Sequence, residues 1–201
     1  MNLQFPDILR PFWGKVIWRK NPSEKVIYLT FDDGPEPEVT PLVLEILEKE
    51  HIKATFFCVG ENVVKNPETY LAVIRGGHKT GNHTYNHLKG ISVTTSEYIE
   101  NVRKATETIE SKLFRPPYGR ITFKQKKVLQ DDYQIIMWDI ITRDYNRNLS
   151  PAMILKNVKR YSRNGSIVVF HDSIKSKYNM MVVLPLAIEF WKSKGYSFGV
   201  L

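Results

Sequence analysis

The stretch Thr30-Phe31-Asp32-Asp33-Gly34-Pro35 decides the fold of this chain, because an apolar run ends there at two adjacent carboxylates. The preceding Val26-Ile27-Tyr28-Leu29 is short, β-branched and aromatic, which predicts a strand that Gly34-Pro35 terminates. Neighbouring carboxylates repel each other unless a cation or an arginine compensates them. The carboxyl ends of strands are also where α/β sheets and (β/α) barrels assemble their sites. A solvated Asp-Gly turn is the plainer alternative.

The composition indicates one folded domain with a basic surface. The chain has 201 residues, of which 42% are hydrophobic and 12% aromatic, so a disordered or fibrous protein is excluded. The formal net charge of +8 suits nucleic acid, an anionic membrane or a polyanionic glycan. Because no run of lysines and arginines is interleaved with aromatics, we predict no nucleic-acid partner and a surface of dispersed lysines.

The single cysteine and the hydropathy of the chain indicate the cellular compartment in which we expect the protein. The single cysteine, Cys58, excludes an intramolecular disulfide and a cysteine-built zinc site. The start of the chain lacks the continuous apolar core of a signal peptide, and the longest apolar stretch, 180–188, is too short to span a bilayer. We therefore expect a cytoplasmic protein with no transmembrane segment. Three aromatic residues among basic neighbours, Phe12, Trp13 and Trp18, leave weak peripheral membrane contact open.

Strand-like and helix-like segments alternate along the chain. Residues 1–24 are predicted to be an irregular leader and 25–201 a single domain. Predicted helices begin at Thr40-Pro41, Asn66-Pro67, Ser96, Phe123, Ser150-Pro151 and Met181, and the one that Ser96 caps is predicted to carry an apolar face as far as Leu113. The strands between them favour a parallel sheet or barrel.

Polar residues follow the predicted strands and form the candidate site. They are Asp32, Asp33, His83, Arg115, Tyr118, Asp144 and His171. Because a parallel topology brings strand ends to one face, we expect these side chains to converge. We assign the aromatic residues Phe56, Phe57 and Trp138 to the core.

The segment His83-Thr84-Tyr85-Asn86-His87 places two imidazoles four residues apart, so that on a helical turn they would face one metal ion. Asp33 would complete a set of two histidines and one carboxylate. These ligands favour Zn²⁺, although Co²⁺, Ni²⁺ or Fe²⁺ fit the same set. A pair of surface histidines is the simplest alternative, and a non-haem iron oxygenase uses the same triad.

Four motifs in order resemble the polysaccharide deacetylases that contain a NodB homology domain, carbohydrate esterase family 4. The motifs are Thr30 to Pro35, His83 to His87, Arg115-Pro116-Pro117-Tyr118 and Phe170-His171-Asp172. The resemblance spans residues 25–200. It implies an α/β fold, a distorted (β/α) barrel of one domain, and a divalent-metal-dependent hydrolase that removes N-acetyl or O-acetyl groups from a glycan.

The resemblance also assigns roles to individual residues. It implies three metal ligands: Asp33, His83 and His87. It implies four catalytic residues: Asp32 as general base, His171 as general acid, Arg115 as the partner of Asp32, and Tyr118 as a backbone donor to the oxyanion. It implies four substrate contacts: Pro117, Tyr118, Tyr145 and Val169.

These residue types suit amide hydrolysis. A divalent ion polarises the carbonyl and lowers the pKa of a bound water towards neutrality. The tetrahedral oxyanion needs a fixed donor. Since an amine leaves poorly unless it is protonated, an acid distinct from the base is required, and imidazole titrates in the useful range.

The chain departs from the family pattern at the fourth motif, where Ile141-Thr142-Arg143-Asp144-Tyr145 stands for Asp-Thr-x-Asp-Trp. Ile141 replaces an aspartate that helps to organise the base and the acid in the family, so we expect Asp139 or Asp144 to tune the acid. Tyr145 and Val169 replace a tryptophan and a leucine of the acetyl pocket. Two functions follow: a deacetylase of an acetylated oligosaccharide, peptidoglycan fragment or sugar conjugate, and a catalytically silent carbohydrate-binding relative.

Overall fold

The computed structural model describes Gln4 and residues 6–201 of the chain. Eight strands lie within these residues: β1 (Val26–Asp32), β2 (Thr55–Cys58), β3 (Lys79–Asn82), β4 (Leu113–Phe114), β5 (Gln134–Ile135), β6 (Ile140–Ile141), β7 (Ile167–His171) and β8 (Ser197–Gly199). The α-helices are α1 (Thr40–Lys49), α2 (Gly60–Lys65), α3 (Pro67–Arg75), α4 (Thr95–Ala105), α5 (Phe123–Leu129), α6 (Pro151–Tyr161) and α7 (Lys177–Ser193). None of these helices combines the length and the apolarity that a membrane-spanning segment requires.

The strands form one sheet in the order β5-β4-β3-β2-β1-β7-β6, and β8 pairs with the beginning of β1. Every strand pairing in this sheet is parallel. Helices lie between most successive strands, β5 and β6 being the exception, and this is the distorted (β/α) barrel that the family resemblance implies. β1 lies at the centre and is buried from Ile27 to Asp32, because a parallel strand covered on both faces needs apolar residues on both faces.

The segment predicted to be a leader makes backbone contacts with the sheet. Ile17 forms a parallel bridge with Ile136, and Arg19 forms an antiparallel bridge with Ser166. The Met137 N–H donates to the Ile17 carbonyl at 2.8 Å. This segment therefore links the region after β5 to the start of β7. Residues 1–3 and 5 of the predicted leader lie outside the described residues.

Two apolar layers hold the sheet to its helices. One packs β1 and β7 against the helices and includes Leu29, Val43, Val73, Phe170 and Trp191. The other lies between the N-terminal segment, α4, α5 and the later strands and includes Trp18, Val102, Phe114, Leu129 and Val169. Phe56 and Phe57 are buried, as predicted.

The helix that was predicted to reach Leu113 ends at Ala105. The Thr106 and Thr108 hydroxyls donate to the carbonyls of Arg103 and Ala105 at 2.6 and 3.3 Å, which offers the backbone an alternative to another helical turn. The N-cap of this helix is Thr94 rather than Ser96. The Thr94 side chain accepts from the Glu97 N–H. The short elements α2 and β6 were not predicted.

Candidate active site

The carboxyl ends of the strands meet at one edge of the barrel. Asp32 ends β1 and His171 ends β7, and the two residues are in register on these neighbouring strands. His83 follows β3 and Arg115 follows β4. A cleft of about 700 Å³ opens at this edge. Its walls include Asp32, Asp33, His83, His87, Tyr118 and His171.

Asp33, His83 and His87 form a compact set of potential ligands. The Asp33 Oδ1 atom lies 3.1 Å from His87 Nε2 and 3.7 Å from His83 Nε2. One ligand atom from each of the three residues lies within 4.8 Å of the others. Two imidazole nitrogens and one carboxylate oxygen are donors that zinc, cobalt, nickel and iron accept, so the residues fit a divalent ion.

The protonation of this set also suits a metal. Burial lowers the pKa of His83 to about 4, so its imidazole is neutral near pH 7. Burial raises the pKa of Asp33, but a hydrogen bond from His87 and the charges of nearby imidazoles outweigh this and lower it. Metal binding requires neutral histidine and ionised carboxylate. The His83 Nδ1 atom lies 2.7 Å from the Arg115 carbonyl, which orients Nε2 towards Asp33.

The two histidines meet through a loop and not through the helical turn that their spacing predicted. Thr84 and His87 have φ angles of 65° and 59°, which no α-helix contains. Asn82 Oδ1 accepts from the Thr84 N–H at 2.8 Å, and Thr84 Oγ1 accepts from the Leu88 N–H at 2.9 Å. Side chain to backbone bonds therefore replace the helical ladder.

Left-handed backbone is concentrated around the cleft. Of the non-glycine residues with positive φ in the described part of the chain, only His51 lies elsewhere; the others are Asp33, Thr84, His87, Tyr118 and Arg143. Such conformations cost free energy and persist where the surrounding structure enforces them. This clustering is typical of a functional site.

Asp32 is held by a buried arginine. Arg115 Nη1 donates to Asp32 Oδ1 at 2.6 Å and to Thr30 Oγ1 at 2.8 Å. Its Nη2 donates to the Met137 carbonyl at 3.0 Å, and its guanidinium lies over the Phe57 ring. Arg115 is fully buried beneath Asp32, so it fixes the carboxylate from below and leaves its other side to the cleft.

His171 is held by Asp144. The His171 Nδ1 atom lies 2.7 Å from Asp144 Oδ1, and the His171 N–H donates to Asp144 Oδ2 at 2.9 Å. Burial alone would lower the pKa of His171, but the Asp144 carboxylate outweighs it and raises this pKa to about 9. The Tyr145 ring packs edge-on against His171, with the ring centroids 4.8 Å apart. The imidazole is therefore protonated at neutral pH.

Asp139, the other residue expected to tune the acid, does not reach the site. Its N–H donates to the carbonyl of Ile167, the first residue of β7, whereas His171 is the last. Its carboxylate accepts from Arg10, Arg163 and Ser166 instead. The prediction failed because Asp139 precedes β6, and parallel strands place that position at the opposite end of the barrel.

The predicted substrate contacts divide into two groups. Tyr118 and Tyr145 line the cleft, whereas Pro117 and Val169 are buried and do not. Trp138, which was assigned to the core, does pack there but also lines the cleft, together with Ile141.

The turn that carries Tyr118 is packed tightly on Trp138. A side chain on Gly119, where φ is 62°, would lie 2.5 Å from the Trp138 ring. The Tyr118 ring packs against His87, with the ring centroids 4.6 Å apart. Tyr118 is thus placed beside the three potential ligands.

A family model described as polysaccharide deacetylase matches residues 19–134. This chain belongs to the polysaccharide deacetylase family. The predicted family is therefore confirmed, and with it the hydrolase class of that family. This polysaccharide deacetylase is 36% identical over 196 residues to a peptidoglycan-N-acetylglucosamine deacetylase of Bacillus cereus, and the alignment covers 92% of this chain and 90% of the relative.

Solved structures agree with this assignment. A peptidoglycan N-acetylglucosamine deacetylase in complex with 4-naphthalen-1-yl-N-hydroxybenzamide is 30% identical, with a TM-score of 0.89 over 98% of this chain and 95% of that one. A family pseudoenzyme from Bacillus anthracis is 27% identical, with a TM-score of 0.81 over 92% of this chain and 66% of that one. The fold is therefore shared by catalysts and by a pseudoenzyme.

Three residues support the site in roles that were not predicted from the sequence. Thr30 binds Arg115, Asn62 donates to the Asp33 carbonyl at 2.8 Å, and Asn179 donates to the Asp144 carbonyl at 3.0 Å. Asn62 and Asn179 lie on helices, far in sequence from the residues they hold. No local pattern marks them, because their roles depend on which helix packs beside which loop.

Proposed function

We propose that this polysaccharide deacetylase hydrolyses acetyl groups, N-acetyl groups first among them, on a glycan of the peptidoglycan type. The observation that carries the proposal is the register of Asp32 and His171 on adjacent strands, beside the three potential ligands. A base and a separate acid within reach of one reacting amide are what its hydrolysis requires.

Asp32 is the proposed general base. Its contact with Arg115 holds it aimed at the cleft, where it would accept the proton of the attacking water. The Arg115 nitrogen that binds Asp32 also donates to Thr30 Oγ1. This second contact fixes the guanidinium, and the guanidinium in turn fixes the Asp32 carboxylate. The base is thereby oriented before substrate arrives.

His171 is the proposed general acid. With its pKa raised to about 9, it carries a proton at neutral pH and would donate that proton to the departing amine nitrogen. Asp144 binds Nδ1, so Nε2 is the atom that would face the leaving group. Asp144, rather than an aspartate at position 141, therefore supports the acid, and Ile141 leaves both catalytic pairs intact.

The backbone N–H of Tyr118 is the proposed donor to the oxyanion. Within the turn, the N–H groups of Gly119 and Arg120 donate to the carbonyls of Pro116 and Pro117 at 3.0 Å. Tyr118 itself, at φ 60°, makes no such bond among the described residues and lines the cleft. A fixed donor at this position would stabilise the developing negative charge.

Asp33, His83 and His87 would hold one divalent ion, which we propose to be zinc. When bound, such an ion would supply a carbonyl-polarising charge and lower the pKa of water. Peptidoglycan is proposed as the glycan because the Bacillus cereus relative is named for that substrate.

The test is acetate release from chitooligosaccharides and peptidoglycan fragments by protein loaded with Zn²⁺, Co²⁺ or Ni²⁺. We expect turnover that a chelator abolishes and added metal restores. The matched control is His78→Ala, because His78 is a buried histidine whose Nδ1 accepts from the Ala54 N–H away from the cleft. His87→Ala should abolish release, whereas His78→Ala should not. No release from any substrate by metal-loaded protein would overturn the proposal.

A catalytically silent carbohydrate-binding role is the second candidate. Ile141 and the structural similarity to a pseudoenzyme favour it. It predicts that glycan binding is measurable by calorimetry, that wild-type protein releases no acetate, and that Asp32→Asn leaves the affinity unchanged.

A further inference from the structure

Asp172 follows the proposed acid in the chain, yet its side chain contacts the metal-ligand turn. It is buried, with 1% of its surface exposed. Its Oδ1 atom accepts from the Gly34 N–H at 3.1 Å, and its Oδ2 atom accepts from the Thr40 hydroxyl at 2.6 Å. Its own N–H donates to the Asp32 carbonyl at 3.1 Å. Asp172, the residue that follows β7, thus contacts the two residues that flank the proposed ligand Asp33 in the chain.

The turn that Asp172 contacts needs external support. Asp33 has a φ of 84°, a left-handed conformation that a residue with a side chain rarely adopts without constraint. Gly34 packs so closely on the Asp172 carboxyl group that a Cβ atom there would lie 2.0 Å from Oδ2. Thr40 Oγ1, which donates to Asp172, also accepts from the Glu36 N–H at 2.8 Å. The carboxyl group therefore fills the inside of the 33–40 turn.

The opposite side of the turn is bound by Val59, which follows β2, and by Asn62 of α2. Asn62 donates to the Asp33 carbonyl at 2.8 Å, and the Val59 N–H donates to the Gly34 carbonyl at 2.9 Å. These groups bind carbonyls, whereas Asp172 binds the N–H of Gly34. The peptide after Asp33 is consequently fixed at both of its polar atoms, and Asp172 supplies the only contact from the β7 side among those described.

We propose that Asp172 is a positioning residue for the metal ligand Asp33, acting through Gly34 and Thr40. This inference rests on the proposed function. Without the Asp172 acceptors, the Gly34 N–H and the Thr40 hydroxyl lose their partners and the turn relaxes from the left-handed conformation. The Asp33 carboxylate then no longer faces His83 and His87 before the ion binds.

The experiment measures the Zn²⁺ dissociation constant of the full chain by competition with a chelator. Asp172→Ala is expected to raise this constant by about 10-fold to 100-fold, the usual effect of removing a group that orients a ligand. Asp172→Asn keeps an acceptor for the Gly34 N–H and a polar partner for Thr40, so it should restore most of the affinity. Thr40→Val removes one of the two contacts and should give an intermediate value.

The control separates positioning from general destabilisation. Asp139→Asn weakens a buried carboxylate cluster at the other end of the barrel, so it should lower the melting temperature and leave the Zn²⁺ dissociation constant unchanged. If Asp172→Ala fails to fold, Thr40→Val decides the matter. Unchanged zinc affinity in Thr40→Val, and in Asp172→Ala where it folds, would overturn this inference alone. Failure of the wild-type chain to bind Zn²⁺ would overturn the proposed function instead.

Discussion

The barrel contains two buried aspartate–arginine clusters, one at each end. At the carboxyl edge, Asp32 receives one bond from Arg115 through Oδ1 and otherwise faces the cleft. Near the start of β6, Asp139 receives bonds on both oxygens, from Arg10 and Arg163 on Oδ1 and from Arg163 and Ser166 on Oδ2. The chemistry of the two pairs is the same, but the number of occupied acceptor positions differs.

That difference separates the proposed general base from a structural carboxylate. A carboxylate whose acceptor positions are all filled has nothing left with which to take a proton, so Asp139 joins Arg10 of the N-terminal segment to the strands. Asp32 keeps free acceptor positions in the cleft and is oriented without being saturated. Burial and charge do not distinguish the two carboxylates, so the proposal of Asp32 as the base rests on its free acceptor positions.

The largest effect is expected at Asp32. Asp32→Asn preserves an acceptor for Arg115 but cannot take a proton, so kcat/KM for acetate release should fall by about 10²- to 10⁴-fold. Zinc affinity should stay close to that of the wild type, whereas stability in urea should fall, because the buried Arg115 loses its charged partner. Retention of substantial turnover would show that another group is the base.

Asp139→Ala should act on stability instead. Removing this buried carboxylate takes from Arg10 and Arg163 the more buried of the two aspartates that they share, which should lower the free energy of unfolding by about 3 kcal/mol in urea titrations. Acetate release per folded molecule should be unchanged. Loss of activity without loss of stability would contradict the structural role.

Asp144→Asn should shift the pH dependence of the acid. In the wild type, His171 with a pKa of about 9 stays protonated across neutral pH, and activity should fall only as pH rises through about 9. Without the Asp144 charge, burial lowers this pKa, so kcat/KM at pH 8 should be roughly tenfold lower. A pH–rate profile measures this, and an unmoved alkaline limb would exclude His171 as the acid.

The pairing of His171 with Asp144 should also contribute to the free energy of unfolding and make it depend on pH. The pKa of His171 is raised above its ordinary 6.5, so this contribution is complete below pH 6.5 and is lost as pH rises through about 9. Urea titrations from pH 6 to 10 should show this loss in the wild type and not in His171→Asn. Equal pH dependence in both would contradict the prediction.

The smallest effect is expected at Asp7, on the exposed rim of the second cluster. Arg163 binds it with both terminal nitrogens at 2.7 and 2.8 Å, but more than half of the Asp7 side chain is exposed. Solvent screening should limit the cost of Asp7→Asn to less than about 1 kcal/mol in urea titrations. A cost equal to that of Asp139→Ala would show that the cluster acts as one unit.

Much of the fold followed from local patterns. Apolar runs such as Val26 to Leu29 and Ser-Pro or Asn-Pro starts marked strands and helices, and alternation predicted a parallel barrel. The predictions that failed depended on competition between local interactions. The helix after Ser96 stopped early because threonine hydroxyls bound its last carbonyls, and the His83 to His87 segment became a left-handed loop because Asn82 and Thr84 bound its backbone.

By itself, the sequence determined the residue types of the site, because paired carboxylates, spaced histidines and strand ends are local and ordered along the chain. Only the tertiary structure decided which of two aspartates binds His171. Asp139 and Asp144 flank the same short strand, β6, and therefore lie at opposite ends of the barrel. The tertiary structure also decided that Asp172 binds the N–H of Gly34, the residue after Asp33 and 138 positions away, a contact that exists only because β1 and β7 are neighbours. Strand order is set by the packing of the whole core, and no local segment encodes it.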